Sequence, residues 1–156
     1  MYPCLILKMD VILIAAITAD GYIARQSNEI INWTKDLALF KKQTQGWPVI
    51  MGSNTYDTLA ADLEEREMIV VNRGDDPEKV LSKIKQERCF IIGGGRTYTK
   101  FAKHLTHLYL TPHPLVFGGG IPIFPELDNK IDLVFERLVP VDETLGIYQF
   151  QYAVVK

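Results

Sequence analysis

One carboxylate, Asp36, stands in the apolar stretch WTKDLALFKKQT, beside Leu37 and one turn before Phe40. The stretch predicts a helix with Asp36 in its first turn, and an inward-facing apolar side would place that carboxylate in an oily cleft. There a carboxylate can hold a planar, amidine-like ligand edge by paired hydrogen bonds, and its proton affinity shifts. The alternative is a carboxylate that only complements the helix dipole.

Three consecutive glycines, Gly93 to Gly95, follow the apolar run CFII and precede Arg96 and Thr97. They mark a junction between a strand and a helix, where α/β proteins bind ligands against free main-chain N–H groups. VIMGSNT, which includes Gly52 to Thr55, predicts a second such junction. Two junctions suit a ligand with two phosphate-bearing ends, such as a dinucleotide. Close packing of strand on helix, with no ligand, is the alternative, and GGGR is not the GxGxxG fingerprint.

Two more polar residues lie at the ends of predicted strands. Arg66 stands just before EMIVVN, where its planar fork could bind a ligand carboxylate or pair with Glu64 or Glu65 on the surface. Thr111 ends the strand HLYLT, where its hydroxyl could bond to a ligand or to Asp36. A hydroxyl that is merely satisfied at a strand end is the alternative for Thr111.

The elements that must position these residues alternate between strand and helix. Strands are predicted at DVILIAAI, PVIMG, EMIVVN, CFIIGG and HLYLTPHPLV, and helices from Thr34 to QGWP, over SNTYDTLAADLEE, DPEKVLSKIKQE and GRTYTKFAKHL. Thr34 and Asp76 are the predicted caps of the first and third helices. TADGYIARQSNEIINW is a loop long enough to be functional or mobile.

The last part of the chain predicts an antiparallel hairpin. IDLVFERLVPVD and LGIYQFQYAVV have apolar, β-branched strand character and are joined by DETLG, a turn sequence. Together with the alternating elements before it, this predicts an α/β fold with a mixed, mostly parallel central sheet and helices on both faces.

Length and charge limit the class of protein. The 156 residues suit one domain, 1–156, with residues 1–8 as an extra segment before the first strand. The net charge of −2 disfavours nucleic acid or an anionic membrane as the main partner.

Cys4 and Cys89 match no metal or disulfide spacing, so no metal site is predicted. Lys8 and Asp10 interrupt the apolar N-terminal run, which favours a cytoplasmic protein. The sequence does not fix the oligomeric state, with a monomer favoured.

These motifs, in this order, resemble the dihydrofolate reductase family. The resemblance rests on ILIAAITADGYIA, DLALFKKQT, PVIMGSNTYDTL, the arginine before EMIVVN, FIIGGGRTYTKF and LYLT, which cover most of residues 10 to 113. It implies a dihydrofolate-reductase-like three-layer α/β/α fold. It also implies an oxidoreductase of one-carbon metabolism and tetrahydrofolate biosynthesis, a target of antifolates. Such an enzyme transfers a hydride from NADPH to C6 of 7,8-dihydrofolate, with N5 protonated.

The resemblance also implies roles for individual residues. Asp36 would bond the pterin and promote protonation of N5, with Thr111 as its hydroxyl partner, and Arg66 would clamp the α-carboxylate of the substrate's glutamate. Gly93 and Gly94 would be joined by a cis peptide bond. The substrate would contact Ile14, Ala15, Ala16, Leu37, Phe40, Leu59, Leu63, Arg66 and Ile92. NADPH would contact Ala16, Ile23, Gly52, Ser53, Asn54, Thr55, Val71, Asn72, Arg73, Ile92, Gly93, Gly94, Gly95, Arg96, Thr97 and Tyr98.

Two positions depart from the family pattern. Ser53 stands where the family usually has a basic residue for the 2′-phosphate of NADPH, a role that Arg73 and Arg96 could take over. NADPH therefore stays the expected cofactor. The segment between Trp33 and Asp36 is shorter than usual. This should move the loop over the pterin and weaken the binding of diaminopyrimidine inhibitors.

A third departure, HPLVFGGGIPIFPEL, resembles the reductase domain of the riboflavin pathway, and ADGYIA and NEIINW favour the same comparison. The alternative function is therefore NADPH-dependent reduction of a 5-amino-6-ribosylaminouracil-type substrate. Asp36 and Arg66 favour folate, because the riboflavin-pathway substrate has a phosphate and no glutamate tail. A nucleotide-binding module without catalysis is a further alternative, which the presence of Asp36, Thr111 and both junctions disfavours.

Overall fold

A computed structural model describes residues 9–156, so the predicted extra segment 1–8, including Cys4, lies outside the described residues. The strands in the described part are β1 (Asp10–Thr18), β2 (Tyr22–Ala24), β3 (Val49–Gly52), β4 (Met68–Val71), β5 (Arg88–Ile91), β6 (His107–His113), β7 (Ile121–Pro122), β8 (Leu133–Asp142) and β9 (Ile147–Val154). The α-helices there are α1 (Leu37–Thr44), α2 (Ser53–Leu59), α3 (Pro77–Ser82) and α4 (Gly95–Phe101). Short 3₁₀ helices, Ala60–Leu63 and Ala102–His104, follow α2 and α4 directly.

Seven strands form the central sheet in the order β4-β3-β5-β1-β6-β9-β8. The strands from β4 to β6 are parallel, whereas β9 runs antiparallel to both β6 and β8. β1 is in the middle, with Ile12 opposite His107 of β6 and Phe90 of β5. The predicted mixed, mostly parallel sheet with a C-terminal antiparallel hairpin is therefore confirmed.

Each face of the sheet carries its own apolar core, because β1 is buried on both sides. Val11 and Leu13 belong to the cluster that includes Phe101 of α4, while Ile12 and Ile14 belong to the cluster against which Phe40 of α1 packs. A continuous apolar run is what a strand covered on both faces requires. Helices on both faces confirm the three-layer arrangement.

The helix ends differ in part from the prediction. Asp76 caps α3, accepting from the N–H of Glu78 at 3.0 Å, as predicted. Thr34 does not cap α1: the helix begins at Leu37, and Asp36 occupies the N-cap position without a capping bond from its side chain. The Asp36 carboxylate turns into the cleft instead, so the prediction for Thr34 is wrong. No helix within residues 9–156 is long and apolar enough to cross a membrane.

The long segment after β1 is not entirely loop. Its residues Tyr22–Ala24 form β2, which pairs antiparallel with β7 to make a separate two-stranded sheet. Asp20 reinforces this contact, because its carboxylate accepts from the N–H groups of Phe117 and Gly118. A Cβ on Gly120 would overlap the carbonyl oxygen of Ala24, so glycine permits this close approach.

Candidate active site

A cavity of about 1270 Å³ opens at the C-terminal ends of β1, β3, β4 and β5. Pockets for one drug-sized ligand are about 300–1,000 Å³, so this cavity has room for a cofactor and a substrate side by side. Its walls are the strand ends, the first turns of α1, α2 and α4, and the segments around β2 and β7. The site therefore lies where open α/β sheets bind ligands.

Most of the predicted site residues line this one cavity. Those that do are Ile14, Ala15, Ala16, Ile23, Asp36, Leu37, Phe40, Gly52, Ser53, Asn54, Thr55, Leu59, Val71, Asn72, Arg73, Ile92, Gly93, Gly94, Gly95, Arg96, Thr97 and Tyr98. Leu63, Arg66 and Thr111 are not part of the wall. The folding of the chain thus brings together residues that are up to about 80 positions apart in sequence.

Asp36 is the buried acid of the cavity, only 8% exposed. Burial raises the pKa of its carboxyl, because the charged form loses hydration. The hydroxyl of Thr111 acts in the opposite direction and lowers the pKa. The main-chain carbonyl of Asp36 accepts from the N–H of Phe40 at 2.9 Å, which fixes the residue to the first turn of α1. The arrangement is a carboxyl that takes up a proton more readily than an ordinary aspartate.

Thr111 lies behind Asp36 in the central sheet and is fully buried. Its hydroxyl has no hydrogen-bond partner in the structure, although it lies near enough to favour the charged form of Asp36 slightly. The indole N–H of Trp33 is also buried without a partner. Buried polar groups in a native core nearly always have a partner, so these two atoms are exceptions among the described residues.

The two glycine junctions are in contact with each other. The N–H of Gly52 donates to the carbonyl of Gly93 at 2.9 Å, and a Cβ on Gly52 would lie 3.0 Å from the Thr97 hydroxyl oxygen. The buried hydroxyl of Tyr98 donates to the carbonyl of Ile14 at 2.8 Å, which ties α4 to β1. The peptide bond between Gly93 and Gly94 is cis, as the resemblance implies.

Three cationic side chains line the end of the cavity near α4: Arg73, Arg96 and Lys100. Arg73 and Arg96 were predicted, whereas Lys100 was not. The ammonium of Lys100 donates to the main-chain carbonyl of Arg73 at 2.8 Å, which ties α4 to the segment after β4. Lys100 lies one turn after Arg96 on α4, and that four-residue spacing was the available signal for it.

Arg66 forms hydrogen bonds with main-chain and side-chain groups near the C-terminal end of α1. Its guanidinium donates to the carbonyls of Lys41 at 2.6 Å and Glu64 at 2.8 Å, and to the Thr44 hydroxyl at 3.0 Å. It pairs with neither neighbouring carboxylate. Three of its five N–H groups are thus in use, and two remain for a ligand.

Leu63 requires a correction, because it was predicted to line the cleft. It is fully buried in the core with Phe90 and Met51. A 3₁₀ turn at Ala60–Leu63 follows α2, and it directs Leu63 to the core and the neighbouring Asp62 to the cavity. A regular helix was assumed for this stretch, so the face that Leu63 presents was predicted wrongly.

Sequence reasoning missed a second group of lining residues, most of them in the segments that hold β2 and β7. They are Ala24, Gln26, Ser27, Glu29, Ile30, Ile31, Thr34, Thr58, Asp62, Thr99, Lys100, Ile121, Pro122, Pro125 and Glu126. The length of the loop after β1 indicated a functional segment, but no pattern showed that residues near 121–126 would meet it.

Comparison with known proteins places the chain in a family. The sequence profile described as dihydrofolate reductase matches residues 10–154. The dihydrofolate reductase of Bacillus subtilis is 33% identical over 129 residues, covering 75% of this chain and 76% of that protein. The structure of the Enterococcus faecalis dihydrofolate reductase, complexed with NADP(H), matches 94% of this chain and 97% of its own, with a TM-score of 0.73 and 22% identity.

A second solved structure is similar in fold. It is described as a riboflavin biosynthesis protein from Shewanella sp. PV-4, and it matches 95% of this chain and 100% of its own, with a TM-score of 0.69. The identity is 19%, so this likeness concerns the fold alone.

Proposed function

We propose a reaction for this chain, which belongs to the dihydrofolate reductase family: the reduction of 7,8-dihydrofolate to 5,6,7,8-tetrahydrofolate. The family is one of NADPH-dependent oxidoreductases, and this chain is an enzyme of that kind. The glycine junctions at Gly52 and Gly93, with Arg73, Arg96 and Lys100, would hold NADPH, which when bound would supply the hydride for this reduction. The substrate accepts the hydride at C6 and a proton at N5.

The observation that carries this proposal is the buried Asp36. It is the acid at the apolar end of the cavity, beside Phe40 and Leu37, and burial raises its pKa. A pterin presents a ring nitrogen and an amino group side by side, and a carboxyl can meet both through paired hydrogen bonds. Asp36 would thereby orient the ring and promote protonation of N5, and Thr111 would offer its free hydroxyl to Asp36.

The protein's contribution at the other end is to place the nicotinamide. Gly93 and Gly94 let the main chain approach the cofactor, and Arg73, Arg96 and Lys100 suit its phosphates. Ile14 and Ile92 form apolar walls that exclude water from the reacting atoms. Positioning of this kind supplies a large share of the rate in such reactions.

The test follows the oxidation of NADPH by its absorbance, with dihydrofolate as substrate. Wild type is expected to turn over and Asp36→Asn to lose most of its activity, while both proteins bind NADPH with similar affinity. Binding of NADPH without turnover of any dihydropterin would contradict the proposal and favour the nucleotide-binding module.

The riboflavin-pathway reaction is the second candidate, and the loop Gly118–Gly120 favours it. HPLVFGGGIPIFPEL carries this loop, which closes over Ala24 beside the cavity. The same assay with the ribosylaminopyrimidine substrate distinguishes the two candidate reactions. If the protein turned over that substrate and not dihydrofolate, the riboflavin-pathway reaction would be its function.

A further inference from the structure

His113, at the end of β6, is a buried titratable side chain that the proposed reaction does not use. It is 2% exposed and lies two residues after Thr111. Its ring meets the edge of the Trp33 indole at 5.4 Å between centroids, with the planes at 90°. Both neighbours have buried polar atoms without a partner among the described residues, and His113, like them, lies behind the cavity wall on the side of Asp36.

Each ring nitrogen of His113 has one main-chain partner. Nε2 lies 3.0 Å from the N–H of Lys35, and Nδ1 lies 2.8 Å from the carbonyl of Thr111. A main-chain N–H can only donate and a carbonyl can only accept. Nε2 therefore accepts and Nδ1 donates, which is the neutral tautomer with its hydrogen on Nδ1. If Nε2 carried a proton, its N–H would face the N–H of Lys35, and neither donor would have an acceptor.

The two partners adjoin the two residues with proposed catalytic roles. Lys35 directly precedes Asp36, and the other partner is Thr111 itself. Within residues 9–156, the bond to Lys35 is the one hydrogen bond that ties residues 30–35 to the central sheet. Asp36 is tied to α1 through its main chain, and this bridge ties the residue before it to β6, so the bridge helps to set where its carboxyl stands relative to β6.

We propose that His113 is a positioning residue, which holds Asp36 at a fixed distance from Thr111 by bridging the two main-chain segments. The inference rests on the proposed function, since it assigns His113 a part in the same reaction. A misplacement of about 1 Å in a reacting group can cost about 100-fold in rate, so a bridge of this kind matters to turnover.

The test compares His113→Leu with His113→Gln. Leucine fills a similar space and makes neither bond. The glutamine amide carries an N–H donor and an oxygen acceptor about as far apart as the two ring nitrogens, so it can restore both bonds. His107→Leu, at the opposite end of β6 and outside the cavity lining, is the matched control.

We expect His113→Leu to lower kcat for dihydrofolate by about 100-fold. NADPH affinity should stay within about twofold, because the cations near α4 are untouched. His113→Gln should recover to within about tenfold of wild type, and His107→Leu should keep wild-type kcat. In the Asp36→Asn background His113→Leu should cost less than about threefold, because the two residues act through one carboxyl.

Three results would overturn the inference. They are a folded His113→Leu with wild-type kcat, a His113→Gln that is as slow as His113→Leu at equal melting temperature, and a full 100-fold loss in the Asp36→Asn background. If His113→Leu does not fold, His113→Asn replaces it, since its shorter amide cannot span both partners and should be slow where glutamine is active.

A failure of the proposed function would look different, because wild type itself would not reduce dihydrofolate. In that case, the bridge through His113 can still be tested by NMR titration of the Asp36 carboxyl. We expect its pKa to change in His113→Leu and to stay near wild type in His113→Gln, and unchanged values in both would refute the bridge.

Discussion

In the proposed function, the two ends of the cavity recognise their ligands by different means. The substrate end depends on side chains, with one buried carboxyl, Asp36, among apolar neighbours. The cofactor end depends on glycine main chain, with Gly52 and Gly93 in direct contact, and on three cations that share one region. A function carried by one group is lost with that group, whereas a function shared among several declines by degrees.

The largest expected effect is at the substrate end. Asp36→Asn keeps the shape of the side chain but removes its ability to carry and release a proton. We expect kcat/KM for dihydrofolate to fall by about 10²–10⁴-fold, the usual contribution of a general acid or base. Asp62→Asn is the control, because Asp62 lines the same cavity but pairs with Lys41 at 3.3 Å in a largely exposed ion pair. Equal losses of kcat/KM in Asp36→Asn and Asp62→Asn would show that the substrate end does not depend on Asp36 alone.

The next effect concerns the main chain at the cofactor end. A Cβ on Gly95 would lie 2.8 Å from the carbonyl oxygen of Pro122 and 3.0 Å from the ring of Pro125. Gly95→Ala should therefore displace the start of α4 and weaken NADPH binding by about tenfold, near 1.4 kcal/mol. Gly74→Ala, which would meet nothing within 4 Å, should bind as wild type does. Isothermal titration with NADPH measures both, and similar affinities would argue against backbone recognition.

A smaller effect is expected for one of the shared cations. Lys100→Gln should weaken NADPH by about three- to tenfold, because Arg73 and Arg96 remain. NADH, which has no 2′-phosphate, should lose less affinity than NADPH does, and the difference should shrink in high salt. Lys83→Gln, away from the cavity lining, is the control. A loss as large as that of Asp36→Asn would mean that the cofactor end also depends on a single residue.

The smallest expected effect is on stability, where Asp36→Asn should improve on the wild type. Burial raises the pKa of Asp36 above its value in the unfolded chain, so unfolding at neutral pH releases a buried charge to water. The charged carboxyl therefore costs stability once the pH exceeds its folded pKa, and that cost disappears below the unfolded value. Asp36→Asn should raise the melting temperature at pH 8, with the gain vanishing near pH 3. A gain that persists in acid would show that charge burial is not its cause.

The sequence predicted the sheet and the two strand-to-helix junctions well because these follow local rules. The continuous apolar run of β1 and the strand-to-helix junctions at Gly52 and Gly93 are visible within short windows. The substrate end was harder, since Thr34 and Leu63 were misplaced by the exact start of α1 and by the 3₁₀ turn after α2. Element ends depend on tertiary contacts that periodicity does not encode.

Contacts between distant loops were beyond the reach of sequence patterns. β2 and β7 have three and two residues, which is too short for an alternation of apolar and polar residues to be recognised. They meet only because the fold brings them together. His113 escaped notice for a similar reason: its partners, Lys35 and Thr111, are main-chain atoms, and main-chain atoms leave no signature in residue type.

The central place of β1 has a consequence for how the chain is made. β1 is synthesised before both strands that flank it in the sheet, and Val11 in β1 bonds to Thr106, which is 95 residues later. At about 5–20 residues per second, the most apolar strand of the sheet waits roughly 5–20 s for its neighbours during synthesis. Folding therefore cannot proceed strand by strand as the chain emerges. During that interval the unpaired edges and apolar surface of β1 are where the nascent chain is most prone to aggregate.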